Sequence, residues 1–418
     1  MRWAVGALTL LLAATPTPVR WDDIAAPLQP LLRARGVERD TFPMHLEEVR
    51  RRNRSRLREG DLDHLVYYTL QSTAFTSLPP IEPAVSATQF LAGRVVPPAV
   101  RARIDAFVRA AALNPVNERM MYFRDILRRE ATGAEWSQTF LVSQYIRAMQ
   151  FFSEKGSYQE RGFSTDTAIE AGYVVHLGLA TLRKLEPERR IRRVLIVGPG
   201  FDMAPRTGLV EAGAPRSYQP FAVLDSLLGL GLSRRDEIEV LAVDINPRVV
   251  QWIRRARGTE PRLPVLSGVN EIGGVRMTDD YRAYVAASGA AIGTEAPLRT
   301  VPAGHTGKSI TLDAEVTNAV DAIEQDVVTE RLDQRFDLVV VTNVFPYLSD
   351  ADLLLAMSNV ADMLAPGGVL LHNEPRPLLA DACHALGFPL IHSRSAVIAT
   401  VEGRPPVYDA VWMHRAPD

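Results

Sequence analysis

The chain has 418 residues, a length that favours two or three domains. Hydrophobic residues make up 47% of it and charged residues 23%, the composition of a globular protein with enough apolar side chains for a core. The formal net charge of −2 gives no overall attraction to nucleic acid, so no nucleic-acid partner is expected. The single cysteine, Cys383, excludes an internal disulfide and a cysteine-rich metal site.

Residues 1–19 have the pattern of a secretory signal peptide. Arg2 gives a basic start, residues 4–14 are an apolar run, and Thr15-Pro-Thr-Pro18 follows. The run is too short to span a membrane, so no transmembrane segment is expected. The pattern predicts an exported, periplasmic protein; the alternative is the buried first helix of a cytoplasmic one.

Residues 20–189 predict an all-helical N-terminal domain. Amphipathic patterns cover 61–75, 99–112, 117–129 and 135–152, and a capping box at 167–170 begins a further helix. The stretch 47–59 is strongly basic. We interpret it as a solvated helix face, with a surface for an anionic partner as the alternative.

Two short apolar runs between Arg193 and Pro247 predict buried parallel strands. The first ends in Gly198-Pro199-Gly200, a turn that lets a ligand approach bare backbone, and the second ends in Asp244. Ligands of open α/β sheets lie at the carboxyl ends of strands, where one carboxylate can accept both hydroxyls of a ribose. The dinucleotide fingerprint fails, because Met203 replaces its third glycine and Asp244 lies about twice as far on as the expected spacing of about 20 residues.

These residues resemble the class I S-adenosylmethionine-dependent methyltransferase family. Residues 335–348 resemble that family's fourth strand and the loop after it, and Ser349-Asp-Ala-Asp352 is a capping box that begins a helix. Ala365-Pro-Gly-Gly368 then ends the helix before a strand at 369–374. The layout is also distantly similar to that of chemotaxis-receptor glutamate methyltransferases, which place a helical domain before a domain of this class.

The resemblance implies the fold class and the cofactor. It implies an α/β domain at 190–418 with a doubly wound, mostly parallel seven-stranded sheet, and S-adenosylmethionine as cofactor. Residues 261–304 are predicted to be an insertion between the second and third strands that forms part of the acceptor site or a lid.

The resemblance also assigns cofactor-binding residues by position. Gly198, Pro199 and Gly200 would pass beneath the methionyl-ribosyl part, and Asp202 would hold the methionine ammonium. Asp244 would accept the ribose hydroxyls, with a helix N-cap as its alternative role. Further contacts are expected from Ile245, from Asn343 and from Asp326, which would lie near the adenine amino group or else be a plain loop acid.

Catalytic candidates are Tyr347, His372 and Glu374, at strand ends expected to face the cleft. Each would bind the acceptor or take its proton in transfer to an O or N nucleophile. For His372, a buried strand residue satisfied by backbone is the alternative. No metal-ligand spacing is present, so no metal is expected.

Three other functions remain open at this stage. They are a non-catalytic exported protein that retains the fold, an aminopropyltransferase-like enzyme, and a binding module that acts through residues 47–59. Two departures from the family pattern bear on activity: Arg192-Arg193 stands where an acid often opens the first strand, and 203–217 is a loop rather than a helix. The acceptor, a small molecule or a protein, and the oligomeric state are left open by the sequence.

Overall fold

The structure, a computed structural model, describes residues 15–113, 117–155, 169–202, 215–298, 301 and 303–418. Most of the predicted signal-like segment and of the loop at 203–217 lies outside these ranges. None of the helices in the described ranges is long and apolar enough to cross a membrane.

The described part of the N-terminal region is mostly helical. Its elements are β1 (Thr17–Pro18), α1 (Gln29–Arg33), α2 (Phe42–Gln71), α3 (Pro83–Gly93), α4 (Pro98–Ala112), α5 (Glu118–Glu130), α6 (Ala134–Lys155) and α7 (Ile169–Leu185). The two-residue strand β1 lies within the predicted signal-like segment 1–19, and it pairs antiparallel with a short strand of the second half, Glu330–Arg331.

Strands and helices alternate in the second half of the chain. The strands are β2 (Arg193–Val197), β3 (Glu239–Asp244), β4 (Arg262–Leu266), β5 (Val275–Met277), β6 (Gly293–Ala296), β7 (Gly307–Leu312), β8 (Val320–Glu324), β9 (Glu330–Arg331), β10 (Phe336–Val341), β11 (Leu364–His372), β12 (Leu390–Val401) and β13 (Arg404–Arg415). The helices are α8 (Gln219–Gly229), α9 (Pro247–Ala256), α10 (Asp279–Ala287), α11 (Ala314–Asn318), α12 (Asp350–Met363) and α13 (Pro377–Ala385).

One large sheet organises this half, in the order β5-β12-β13-β11-β10-β2-β3-β8. The strands from β8 to β11 in this order are parallel, and β13, β12 and β5 are antiparallel. The doubly wound α/β architecture is therefore confirmed. The chain runs outward from β2 to β3 and β8, then returns to β10 on the other side of β2. This reversal creates a crevice at the carboxyl ends of β2 and β10, where ligands of such sheets bind.

The sheet has eight strands in the described residues rather than the seven predicted. The additional strand, β5, belongs to the predicted insertion and pairs antiparallel with β12. It covers the backbone groups of an edge that would otherwise be open to another chain. Two other strands of the insertion, β4 and β6, form a small antiparallel sheet with β7, so this substructure continues to Leu312.

The helix start predicted at Ser349 is confirmed, because its side chain accepts a hydrogen bond from the Asp352 amide at the start of α12. Pro220 lies in the first turn of α8. Residues 365–368 do not separate helix from strand as predicted. They lie inside β11 as a bulge, because Phe336 of β10 pairs with Leu364 while Leu338 pairs with Val369.

Helix α2 connects the two faces of the sheet. Its first turns, with Phe42, Leu46 and Val49, belong to the buried cluster that includes α12. Its last turns, with Leu65 and Leu70 among others, belong to the cluster that includes α7 and α8. A helix of 30 residues is about 45 Å long, enough to pass across the carboxyl ends of the strands.

Candidate functional site

The turn after β2 requires glycine at two positions. Gly198 has φ +64° and Gly200 has φ +62°, the left-handed region that costs other residues about 1–2 kcal/mol. A β-carbon on Gly198 would also strike the Cγ2 atom of Val344. The amide of Gly198 donates to the carbonyl of Val243 at 2.7 Å, which fixes the turn beside β3. The turn therefore exposes backbone atoms without side chains to the crevice.

Asp244 ends β3 next to this turn and is buried. One carboxylate oxygen accepts a hydrogen bond from the Gly200 amide at 3.0 Å, and the other accepts from the Asn246 amide at 2.8 Å. Burial raises the pKa of Asp244 to about 6, although both backbone hydrogen bonds act in the opposite direction. Each oxygen has a second lone pair, so the carboxylate can still accept two ligand hydroxyls. The N-cap alternative is wrong, because the side chain of Asn246 caps α9.

An open pocket lies above the turn and Asp244. Its volume is about 810 Å³, including space open to solvent. The described residues that line it are Asn53, Arg56, Leu57, Val197, Gly198, Gly200, Phe201, Val243, Asp244, Ile245, Asn246, Val249, Gln325, Asp326, Val327, Val328, Asn343, Val344, Tyr347 and Leu348. The lining set includes no described residue of 261–304, the predicted acceptor site or lid.

The wall opposite the strand ends is formed by α2. On one side of the pocket, the carboxylate of Asp352 in α12 is hydrogen-bonded to the His45 ring at 3.0 Å and to the Arg52 guanidinium at 2.7 Å. Farther along, Asp61 of α2 pairs with Arg248 at 2.5 Å. The turns between these ion pairs place Asn53, Arg56 and Leu57 on the pocket. These contacts hold helix α2 in place on both sides of the pocket.

The solvated-face interpretation of 47–59 is therefore only partly right. Arg51, Arg54 and Arg58 are exposed, as that interpretation expects. The residues that face the pocket were not predicted. Arginines occur on all sides of the helix, so the sequence pattern does not indicate which face is turned inward. The one local signal was Leu57, an apolar residue within the basic stretch.

Asp326 lies at the pocket after β8, and its oxygens are already engaged. They accept hydrogen bonds from the Asn53 side chain at 2.8 Å, the Val328 amide at 2.9 Å and the Thr329 hydroxyl at 3.2 Å. Burial is the largest influence on its carboxyl group and raises the pKa of Asp326. Asp326 therefore lines the pocket and also holds its own loop through these hydrogen bonds.

Asn343 and Tyr347 form the β10 side of the pocket. Asn343 has φ +58°, an uncommon conformation for a residue other than glycine. It is held by Asn373, whose side chain exchanges two hydrogen bonds of 2.9 Å with the Asn343 amide and side-chain oxygen. The guanidinium carbon of Arg56 lies 5.8 Å from the ring centre of Tyr347.

Asp202 is not placed to hold a ligand ammonium. It is buried and forms an ion pair of 3.1 Å with Arg216, which is also buried, and its amide bonds to the Arg216 carbonyl at 2.6 Å. Its charge is thus already used within the protein. Neither Asp202 nor Pro199, which is buried within the turn, lines the pocket.

His372 and Glu374 line a second open pocket, of about 1060 Å³ including space open to solvent, rather than the pocket at Asp244. Burial, with His414 nearby, lowers the pKa of His372 to about 3. Its Nδ1 atom accepts a hydrogen bond from the Glu374 amide at 3.2 Å, as expected if His372 is a buried strand residue satisfied by backbone. The Glu374 carboxylate forms an ion pair of 3.2 Å with Arg376. Of the three catalytic candidates, only Tyr347 shares a pocket with the glycine turn.

In the part of the chain that the structure describes, no group of three or more histidine, cysteine, aspartate or glutamate side chains is arranged to hold a metal ion.

No protein-family model matches the chain, and no curated protein matches it. Solved structures similar to it include S-adenosylmethionine-dependent methyltransferases. The N-methyltransferase NodS from Bradyrhizobium japonicum WM9, in complex with S-adenosyl-L-homocysteine, is 15% identical over 58% of this chain and 86% of that one, with a TM-score of 0.30. The glycopeptide N-methyltransferase MtfA is 14% identical over 59% of this chain and 94% of its own, with a TM-score of 0.30. Magnesium protoporphyrin IX methyltransferase ChlM from Synechocystis PCC 6803, with bound S-adenosylmethionine, is 11% identical over 64% of this chain and 94% of its own, also with a TM-score of 0.30.

Proposed function

We propose that this protein is a class I S-adenosylmethionine-dependent methyltransferase that acts on an O or N nucleophile. The observation that carries the proposal is the hydrogen bond of 3.0 Å between the Gly200 amide and Asp244, beneath an open pocket at the reversal of strand order. A glycine turn and a buried carboxylate at adjacent strand ends suit a ligand whose ribose lies against both.

The described lining residues divide into roles along the pocket. Asp244 accepts the ribose hydroxyls, and the Gly198–Gly200 backbone lies beneath the ribose and the chain attached to it. Ile245 supplies apolar contact to the base, and Asp326 lies near its amino group. Asn343 borders the methionyl end, where its backbone is held by Asn373.

Bound S-adenosylmethionine would supply the methyl group, and the protein's main task is then to align the acceptor with it. Such positioning accounts for much of the rate in reactions with a good leaving group. The hydroxyl of Tyr347 is the candidate that orients the acceptor at the pocket. We assign His372 and Glu374 no contact with the reacting atoms, because they line the other cavity.

We propose further that the N-terminal helical region completes this site rather than acting as a separate binding module. The support is α2, which supplies Asn53, Arg56 and Leu57 to the pocket wall.

We also propose that the protein is exported. Because β1 (Thr17–Pro18) pairs with β9 and Val19 is buried, we expect any removal of a leader to end before Thr17. Mass spectrometry of the mature N-terminus tests this, and cleavage after Val19 would contradict it.

Isothermal titration calorimetry with S-adenosylhomocysteine tests the proposed function. We expect micromolar binding by the wild type and a loss of about 100-fold or more in Asp244→Ala, because the ligand hydroxyls lose a charged acceptor. Asp236→Ala is the control, since Asp236 is an exposed acid paired only locally with Arg234. The absence of wild-type binding, or equal binding by Asp244→Ala, would overturn the proposal.

A further inference from the structure

The second open pocket lies beside α13, at the carboxyl end of β11. Among the described residues, it shares no lining residue with the pocket at Asp244. Apolar side chains that include Leu379, Phe388 and Trp412 form much of its wall. Its two oppositely charged lining residues, Glu374 and Arg376, pair with each other at 3.2 Å. The charges of the wall therefore compensate each other, which favours a neutral ligand.

His372 presents a hydrogen-bond donor at this pocket. Burial, with His414 nearby, lowers the pKa of His372 to about 3, so the ring is neutral at physiological pH. Its Nδ1 atom accepts from the Glu374 amide at 3.2 Å, and a ring nitrogen that accepts carries no proton. The proton of the neutral ring is therefore on Nε2. That atom has no hydrogen-bond partner among the described residues, although His372 is only 2% exposed. A buried donor is costly without an acceptor.

His414 presents an acceptor at the same pocket. Its Nδ1 atom lies 3.2 Å from the Phe388 carbonyl, which can only accept, so Nδ1 carries the proton. Burial lowers the pKa of His414, so this ring is also neutral and its Nε2 atom holds a lone pair. The ring centres of His372 and His414 are 5.2 Å apart and their planes differ by 15°. The wall thus carries a donor and an acceptor on neighbouring rings.

We propose that the second pocket is a binding site for a neutral, planar ligand with a carboxamide-like edge. The ligand's carbonyl oxygen accepts from the Nε2–H group of His372, and its N–H group donates to Nε2 of His414. The half-buried ring of Trp412, whose plane differs by 10° from that of His372, offers an aromatic surface to the rest of the ligand. This inference goes beyond the proposed function and does not depend on it.

Benzamide is the probe, because it is planar and uncharged and carries a carbonyl oxygen beside an N–H group. We expect the wild type to bind it with a Kd of about 1 mM, since so small a ligand gains little binding free energy. In protein labelled with ¹⁵N-histidine, the Nε2–H signal of His372 should shift on binding. Benzoate, which is charged, and N,N-dimethylbenzamide, which has no N–H group, should each bind at least about fivefold more weakly.

Two substitutions of His372 separate its two ring nitrogens. His372→Asn keeps an acceptor near the Glu374 amide but removes the Nε2 donor, so it should weaken benzamide binding about tenfold or more. His372→Gln supplies a donor near the position of Nε2 and should retain more of the affinity. His392→Asn is the control, because His392 lies in β12 of the same sheet but does not line the pocket. Saturation with S-adenosylhomocysteine should leave benzamide binding unchanged.

Equal benzamide binding by the wild type and by a His372→Asn protein that melts like it would overturn the inference. So would a wild type that does not bind benzamide, or binds it with no shift of the Nε2–H signal. The signal is measured on the wild type, so it decides the matter even if His372→Asn fails to fold. Failure of the wild type to bind S-adenosylhomocysteine would overturn the proposed function and leave this inference standing.

Discussion

The side-chain amide of Asn53 donates a hydrogen bond of 2.8 Å to the carboxylate of Asp326, across 273 residues of sequence. It joins α2 to the loop after β8 at the mouth of the pocket. Because α2 begins in the core on one face of the sheet and ends in the core on the other, it must cross the strand ends. The crossing makes an N-terminal helix part of the site.

Replacing Asn53 with alanine should weaken S-adenosylhomocysteine binding by about threefold to tenfold. The change removes one of the donors to Asp326, and a typical hydrogen bond contributes about 0.5–1.5 kcal/mol. Since the Asn53 hydrogen bond lowers the pKa of Asp326, its loss should raise that pKa further. Calorimetry measures the affinity, with the exposed Ser55→Ala on the same helix as the control. An unchanged affinity would show that Asp326 keeps its position without Asn53.

The strand-end features of this site were predictable from the sequence because their signals are local. The run Val194–Val197 is followed by glycine and the second run ends in Asp244, so the sequence itself marks the end of each strand. The two strands do pair in parallel. The part played by α2 was not predictable, because the bond between Asn53 and Asp326 depends on tertiary packing.

The position of His372 shows a second limit. Its location at a strand end was predicted correctly, since β11 ends at that residue. Which side of the sheet it faces depends on pairing register, and a shift of one residue would reverse it. In the observed register His372 pairs with Trp412 and lines the cavity beside α13.

Gly198→Ala should disrupt both stability and cofactor binding. The new β-carbon would strike Val344 and would occupy a left-handed conformation, so we expect a loss of about 2–4 kcal/mol in the free energy of unfolding. Gly36→Ala is a matched control, because Gly36 has φ +76° with open space around it and should lose only about 1–2 kcal/mol. Chemical denaturation measures the free energy of unfolding of both variants.

A second substitution separates the collision from the backbone strain. Val344→Ala removes the atom that the alanine at 198 would meet, so the double variant should recover part of the stability lost by Gly198→Ala. A double variant no more stable than Gly198→Ala would contradict the predicted collision.

The affinity for S-adenosylhomocysteine should depend on pH through Asp244. With a pKa of about 6 in the free protein, the group is ionised at higher pH, and ligand hydroxyls favour its charged form. Affinity should therefore be constant above about pH 7 and fall about tenfold per unit below about pH 6, with proton release on binding near pH 6. Calorimetry in buffers of different ionisation enthalpy measures both quantities. A flat wild-type profile through pH 5 would contradict the assignment.

The same group should affect the stability of the ligand-free protein. Its folded pKa lies above that of an unfolded aspartate, so its stabilising contribution is fully present below about pH 4 and is lost as pH rises through about 6. The stability of Asp244→Asn relative to the wild type should therefore increase between about pH 4 and pH 7. Denaturation across this range checks the slope, and a relative stability that does not change with pH would contradict the raised pKa.

His372→Leu should reduce stability without affecting the cofactor. The Glu374 amide loses its acceptor, at a cost of about 1–3 kcal/mol, while S-adenosylhomocysteine affinity stays within about twofold. Because the pKa of His372 is lowered to about 3, its ring should also show no titration near pH 6.5 by NMR. Titration near that value, or loss of binding in the variant, would restore His372 as a candidate at the reaction site.

A crystal structure of the protein with S-adenosylhomocysteine tests the central claim most directly. We predict both ribose hydroxyls within hydrogen-bond distance of the Asp244 carboxylate, with the Gly198–Gly200 backbone beneath the sugar. A nucleoside bound elsewhere, or bound with its ribose away from Asp244, would contradict the account.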